Sequence, residues 1–202
     1  RTILVLRPVP QAVLSMGAAL RWPDREAAEA RAIVSGALGG GPGSRLWIAV
    51  RERLGVSYGA YAFMAPLGQD LYRLTLQSAV APAAAGQALA TMRAEYDRLR
   101  AEGLAEAEIA PIRKRLVAGQ ADAMGVATSA AATIRGALIA GRDAGAALRY
   151  GRDVAALDAA RINALIGERF PERLTVIVVA PSAEGIAADC VVAPDQDFSV
   201  CE

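Results

Sequence analysis

Residues 37–61, ALGGGPGSRLWIAVRERLGVSYGAY, bring together the residue types that could bind a ligand. Three consecutive glycines and a Pro-Gly pair precede an amphipathic stretch with arginines and then a run rich in aromatic residues. Glycine loops that bind phosphate follow a strand and read G-x-x-x-x-G-K-[ST] or G-x-G-x-x-G. Residues 39–45 match neither pattern and join two predicted helices, so locally they predict a helix C-cap and a tight turn. Taken singly, Arg51 is typical of a solvated helix arginine and Tyr58 of a core tyrosine.

The sequence contains no histidine. This excludes Ser-His-Asp and Cys-His nucleophilic catalysis and every zinc site built on histidine. The two cysteines, Cys190 and Cys201, cannot form a closed four-ligand zinc site, and no pair of acidic residues stands out from the charged helix faces. Chemistry that uses only carboxylates remains possible on this evidence, but we predict no catalytic residue, metal ligand or bound cofactor in this chain.

The composition is typical of a globular domain. Hydrophobic residues make up 54% of the 202 residues and charged residues 21%, which is enough apolar material for a core. The net charge of +1 gives no reason to expect a nucleic-acid partner. The most alanine-rich segment, 126–140, contains Arg135, so we predict no membrane span. Because the composition does not shift along the chain, we predict a single domain over residues 1–185 and a C-terminal tail over residues 186–202.

The cysteines bear on the compartment. Cys190 and Cys201 form a disulfide if the tail folds back on itself, which suits an oxidising compartment, and remain free thiols if the tail is loosely ordered. Their spacing does not decide between these alternatives. The sequence begins at Arg1 without an initiator methionine, so it does not tell whether a signal peptide has been removed.

Hydrophobic periodicity predicts the elements that must position these residues. Strands are predicted over residues 3–6, 11–20, 56–64, 70–80 and 175–179, with a hairpin turn at Pro66–Gly68. Helices are predicted over residues 25–38, 45–54, 83–102, 106–124, 128–140 and 158–169, with Asp24, Ser44 and Asp158 as N-caps. This order predicts an α+β fold, with a largely antiparallel sheet of about five to six strands and helices packed on it.

The predicted helix 45–54 is amphipathic. Its apolar stripe comprises Leu46, Trp47, Val50 and Leu54. Arg51 lies at the edge of this stripe, and Arg45 and Glu52 lie opposite it. We therefore predict that Arg51 can reach over the packed face of the helix.

The whole segment resembles the non-catalytic half-domain of the pitrilysin and insulinase-like zinc peptidases, the inverzincins. The shared pattern is L-G-G-G-x-x-S-R-L, then R-E-x-x-G, then a tyrosine that opens a strand. The matching residues here are Leu38–Gly41, Ser44–Leu46, Arg51, Glu52, Gly55 and Tyr58. Residues 11–17 and 103–116 resemble further parts of the same half-domain, so the resemblance covers nearly the whole chain.

The resemblance implies a processing-peptidase-like half-domain that faces a similar domain across a closed chamber. The companion carries H-x-x-E-H and a further acidic ligand, which bind the zinc that activates water. This chain, without histidine, corresponds to the second domain, whose implied role is to complete the chamber and hold an extended peptide. The implied substrate-binding residues are Arg51 and Tyr58, and more weakly Gly39, Gly40 and Gly41. The companion is implied to be a domain or a separate subunit, in a possible homo- or heterodimer.

Two other functional classes are compatible with the sequence. The same fold occurs in respiratory-complex core proteins that hydrolyse nothing, so an inert structural subunit is the main alternative, although Arg51 and Tyr58 together favour the peptidase class. An independent binding module would instead fold as a monomer with no apolar face left open. Bacterial relatives are often exported, which together with Cys190 and Cys201 favours the periplasm over the cytoplasm. An H-x-x-E-H motif before Arg1 or in a neighbouring reading frame would decide for the peptidase.

Overall fold

A computed structural model describes residues 1–22, 28–68 and 70–202. The strands are β1 (Thr2–Leu6), β2 (Ala12–Arg21), β3 (Ser57–Gly68), β4 (Leu71–Val80), β5 (Thr175–Ala180) and β6 (Cys190–Val192). The α-helices are α1 (Ala28–Gly39), α2 (Ala85–Glu102), α3 (Glu106–Met124), α4 (Ala127–Ile139), α5 (Ala146–Ala156) and α6 (Ala159–Arg169). In these described ranges no helix is long and apolar enough to cross a membrane.

The six strands form one open sheet in the order β3-β4-β2-β5-β1-β6. The pairs β3–β4, β4–β2 and β2–β5 are antiparallel, whereas β1 pairs parallel with both β5 and β6. β1 and β2 follow each other in the chain, yet β5 lies between them in the sheet. The predicted α+β fold with a largely antiparallel sheet is therefore confirmed.

One face of the sheet packs against the helices and forms the main core. β2 and β4 each turn alternate residues into this core, among them Leu14, Met16, Leu74 and Leu76, which are fully buried. This is the alternation predicted from the sequence, and it fixes which side of each strand faces outward. The outward face stays open over β2 and β4, where Val13, Arg73 and Gln77 are exposed.

The segment 186–202, expected as a tail, reaches the far edge of the sheet. It contributes β6 and a 3-10 helix, Phe198–Cys201, and a disulfide joins Cys190 to Cys201. The carboxylate of Asp189 also accepts a hydrogen bond of 2.6 Å from the Thr2 backbone N–H. Of the two alternatives for the cysteines, the structure contains the disulfide.

Several predicted element ends need correction. The turn placed at Pro66–Gly68 is wrong, because β3 runs on through Gly68. The helix α5 was missed, since residues 146–156 carry no capping residue that marks its start. Ser44 precedes the helical segment as predicted, and its carbonyl accepts from the Ile48 N–H at 2.9 Å, but its hydroxyl donates to the Gly41 carbonyl at 2.6 Å instead of capping the helix. The Asp158 cap is confirmed by a 2.7 Å bond from the Arg161 N–H. The predicted Asp24 cap lies outside the described residues.

Candidate functional site

The helix that carries Arg51 is a π-helix over Trp47–Arg53, within the predicted helix 45–54. Its last turn is closed by a bond of 3.1 Å from the Leu54 N–H to the Ala49 carbonyl, five residues earlier. Ala49 and Val50 are buried against the core. π-Helical turns are rare and occur often at functional sites, because their wider winding changes the direction of the side chains.

Arg51 is exposed at the edge of the apolar stripe, as the wheel predicts. Its guanidinium carbon lies 4.5 Å from the centroid of the Trp47 ring, within cation–π range. Trp47 in turn meets Tyr61 of β3 edge to face, with ring centroids 6.0 Å apart. Arg51 makes no hydrogen bond or ion pair with any residue of the described ranges, so its donors are available to a ligand.

The structure corrects the position that the helical wheel predicted for Arg45. The wheel placed this arginine opposite the apolar stripe, but its side chain is only 8% exposed. It donates to both carboxylate oxygens of Glu108, at 2.6 and 2.9 Å, and to the Gly103 carbonyl at 2.6 Å. These bonds fasten the start of the helical segment to the turn between α2 and α3. A wheel cannot show this, because Glu108 lies 63 positions further along the chain.

The Arg45–Glu108 ion pair also lowers the pKa of the glutamate. The hydrogen bond from Arg45 holds the pKa of the Glu108 carboxyl below its ordinary value, against a smaller opposing effect of burial. The same carboxylate accepts a 3.0 Å bond from the Ala105 N–H at the start of α3. One ion pair therefore caps α3 and anchors the segment that leads to Arg51.

Tyr58 stands almost fully in solvent, with 84% of its surface exposed. It lies where the register between β3 and β4 shifts, between Ser57 and Ala60. Hydrogen bonds hold this irregular backbone: the Gly59 N–H donates to the Ser57 hydroxyl at 3.1 Å, and the Ser78 hydroxyl donates to the Gly59 carbonyl at 2.9 Å. Strict alternation along the strand would place Tyr58 on the side of Val56 and Met64, and the register shift breaks that alternation here. Within the described ranges the phenol has no hydrogen-bond partner.

A groove of about 340 Å³ lies beside Tyr58 on the outward face of the sheet. Val13, Tyr58, Tyr61 and Gln77 contribute to its walls. The Tyr61 ring lies so close to Gly59 that a Cβ there would come within 2.5 Å of the Tyr61 hydroxyl oxygen. Arg51 does not line this groove, but it stacks on Trp47, and Trp47 contacts Tyr61, which lines the groove together with Tyr58.

The three glycines of the opening segment serve packing and a turn. A Cβ on Gly39 would lie 2.6 Å from the carbonyl carbon of Tyr61, so only glycine lets the end of α1 touch β3. A Cβ on Gly40 would lie 2.7 Å from the Gly36 Cα, and Gly41 has a φ of +114°, which other residues rarely adopt. None of the three lines the groove at Tyr58. The three glycines therefore allow α1, the π-helix and β3 to pack closely together.

The site offers donors and apolar walls. A guanidinium and a phenol both donate to carbonyl oxygens, and an extended peptide presents such oxygens along its length. Within residues 1–22, 28–68 and 70–202, no three His, Cys, Asp or Glu side chains group so as to hold a metal ion. The arrangement can therefore donate hydrogen bonds to the oxygen of a peptide group.

The family model for the peptidase M16 inactive domain matches residues 1–116, which is more than half of the chain. The chain belongs to this family. The resemblance inferred from residues 38–58 is thereby confirmed, and Arg51 and Tyr58 both lie within the matched residues. No curated protein matches the chain.

Solved structures share the fold of this M16 inactive domain. The peptidase M16 inactive domain from Pseudomonas fluorescens is 18% identical, with a TM-score of 0.73 over 90% of this chain and 43% of that one. The periplasmic protease PqqL from Escherichia coli is 16% identical, with a TM-score of 0.77 over 89% and 20%. A chain of complex III2 from Candida albicans is 10% identical, with a TM-score of 0.72 over 92% and 46%. This chain spans less than half the length of each.

The candidate site also contains three residues that were not predicted from the sequence: Trp47, Tyr61 and Gln77. The spacing of four between Trp47 and Arg51 could have indicated their stacking on a helix. Gln77 faces Tyr61 across β3 and β4, and that pairing needs the sheet register, which depends on the bulge near Tyr58. The missed residues are thus those whose role follows from tertiary packing.

Proposed function

We propose that this chain is the substrate-binding, chamber-completing and non-catalytic domain of a zinc-dependent endopeptidase. One observation carries the proposal. In a member of the M16 inactive domain family, Arg51 and Tyr58 are both exposed, and neither has a hydrogen-bond partner in the described part of the chain. Tyr58 lines the groove, and Arg51 stacks on Trp47, which contacts Tyr61 of the same groove. An extended peptide would receive hydrogen bonds from both side chains.

The zinc of such a peptidase belongs to a companion domain or subunit. The residues of this chain do not fit zinc, since there is no histidine and the described acids and cysteines form no ligand group. What this chain supplies is orientation and charge. The Arg51 guanidinium and the Tyr58 hydroxyl are both hydrogen-bond donors. Donors aimed at the carbonyl oxygen under attack stabilise the developing oxyanion more than the ground state.

The alternative is an inert structural subunit, and the fold similarity to a chain of complex III2 supports it. The two functions differ in what they require of the groove. A structural subunit needs no unpaired donors in solvent, and an 84% exposed tyrosine contributes little to packing. The exposed pair therefore favours the peptide-binding function.

A periplasmic location is part of the proposal. The disulfide between Cys190 and Cys201 is of the kind that persists in oxidising compartments. The similar fold of a periplasmic protease supports the same location.

Reconstitution tests this division of labour. The chain by itself is expected to bind no stoichiometric zinc and to cleave no peptide, because it lacks ligands. Addition of the companion that carries H-x-x-E-H, from the same polypeptide or a neighbouring reading frame, is expected to give one tightly bound zinc and peptide hydrolysis. Titration calorimetry and a fluorogenic peptide assay measure both. A tight one-to-one zinc complex of this chain alone would contradict the proposal, as would a companion that is fully active without it.

A further inference from the structure

The outward face of the sheet continues past the groove at Tyr58 as a second depression, the sheet trough. It has a volume of about 540 Å³, and its lining includes Ser15, Gly17, Phe63, Thr75, Gln77 and Ile177. Gln77 lines both the groove and the trough, so the two form one continuous surface.

Cross-strand pairing explains the shape of the sheet trough. Gly17 of β2 pairs with Thr75 of β4 on one side and Thr175 of β5 on the other, and Phe63 of β3 completes the row. A Cβ on Gly17 would lie 2.5 Å from the Leu74 carbonyl oxygen, so no larger residue fits at the centre. The floor of the trough therefore consists of small side chains, and larger side chains lie on either side of it.

Thr75 gives this floor a polar group without a partner. Its side chain is only 9% exposed, yet it lines the trough and its hydroxyl makes no hydrogen bond to any described residue. A hydroxyl held at the bottom of an open trough can bond to the backbone of a bound chain.

One arginine lines the far end of the sheet trough, and two more lie close to it along the neighbouring chain segments. Arg73 lines it directly and pairs across the sheet with Ala19. Arg21 lies two residues beyond Ala19 on the same side of β2, and Arg173 lies two residues before Thr175. All three are exposed, and none makes an ion pair with a described residue.

No charge on the sheet face itself compensates these arginines. The outward residues of β2, β4 and β5 include no Asp or Glu. The acids adjacent in sequence, Asp70 and Glu172, lie outside the strand rows. Arg73 is the one charged residue in the lining of the sheet trough as described, whereas the groove at Tyr58 is lined by tyrosines, amides and small residues.

We infer that the sheet trough is a further substrate subsite, in which Arg73 and its neighbours bind an acidic side chain of the peptide held at Arg51 and Tyr58. The inference rests on the proposed function and names a substrate class for it. Gln77 and Arg73 are four residues apart on β4, which is about 13 Å along a strand. An extended peptide covers that distance in about four residues. The acidic residue therefore lies about four residues from the segment beside Tyr58.

Peptide binding to the assembled peptidase, this chain with its companion, tests the inference after a chelator has removed zinc and stopped hydrolysis. Labelled peptides with amidated C-termini carry Glu or Gln at the distal position, so that only the side-chain charge differs. At low salt the Glu peptide is expected to bind about tenfold more tightly than the Gln peptide. Arg73→Glu should remove or reverse this preference, and Thr75→Val should weaken both peptides equally. The control Arg152→Ala, an exposed arginine on α5, should leave the preference intact.

Two results would overturn the inference. One is equal affinity of the two peptides for the unaltered assembly. The other is an Arg73→Glu variant that still assembles with its companion and keeps the unaltered Glu-to-Gln affinity ratio. Failure of the proposed function has a different signature: Arg51→Ala and Tyr58→Phe would leave hydrolysis intact, whereas the charge preference depends on Arg73.

Discussion

Replacing Arg51 by alanine is expected to lower kcat/KM for peptide hydrolysis by about 100- to 1,000-fold in the assembled peptidase, the range observed when one oxyanion donor is removed. The side chain is positioned by Trp47 and is unpaired, so its loss removes a donor and rearranges little else. Tyr58→Phe removes only a hydroxyl from an exposed ring and should act in the same direction. Both variants should lower kcat more than they raise KM, because the lost bond is stronger in the transition state.

Kinetics and zinc analysis together check this expectation. The zinc content of both variants should equal that of the unaltered assembly, since neither residue belongs to a metal site. Arg53→Ala is the matched control, because Arg53 is an exposed arginine at the end of the same π-helix. Full turnover in both Arg51→Ala and Tyr58→Phe would refute a role for the pair in substrate binding.

Arg45→Met is expected to produce the second large effect, a loss of about 3 kcal/mol in the free energy of unfolding. Methionine fills similar space but leaves the Gly103 carbonyl and the Glu108 carboxylate without their donor. The loss is large against a typical total of about 5–15 kcal/mol. Urea denaturation measures it. Arg152→Ala, which breaks a pair whose arginine is 73% exposed, should change stability by about 1 kcal/mol or less.

The same ion pair predicts a pH dependence. The folded pKa of Glu108 lies below its ordinary value of 4.5, so the carboxylate stabilises the fold above that value. This contribution is lost as the pH falls through the lowered folded pKa. The stability difference between the unaltered chain and Glu108→Gln should therefore be constant near neutral pH and shrink below 4.5. A difference that stays unchanged well below that pH would show that the charge of Glu108 is not involved.

Most of the fold was predictable because hydrophobic periodicity and capping residues depend on residues that are close in sequence. Alternation placed β2 and β4 to within a few residues, since one face of each strand must be apolar. Helical spacing gave α3 with its observed ends, and Asp158 marked the start of α6. The three-residue strand β6 was missed because it is too short for a pattern and pairs with β1, which lies at the opposite end of the chain.

The candidate site was likewise predictable only in the part that depends on local sequence. Arg51 and Tyr58 were identifiable from their spacing within a longer motif. The connection between them depends on a π-helix, a register shift and the ring contact between Trp47 and Tyr61, none of which has a periodic signature. Burial of Arg45 could not be predicted from local sequence, because the groups that stabilise it, the Glu108 carboxylate and the Gly103 carbonyl, lie far along the chain.

Site-specific photo-crosslinking tests the central claim most directly. A benzophenone amino acid replaces Tyr58, and the zinc-depleted assembly is irradiated with a bound substrate peptide. We expect crosslinks to peptide residues next to the scissile bond, mapped by mass spectrometry. The same probe at Leu148, an exposed position on α5, should give none. Crosslinking at position 58 no stronger than at position 148, in an assembly that still cleaves the peptide once zinc is restored, would contradict the account.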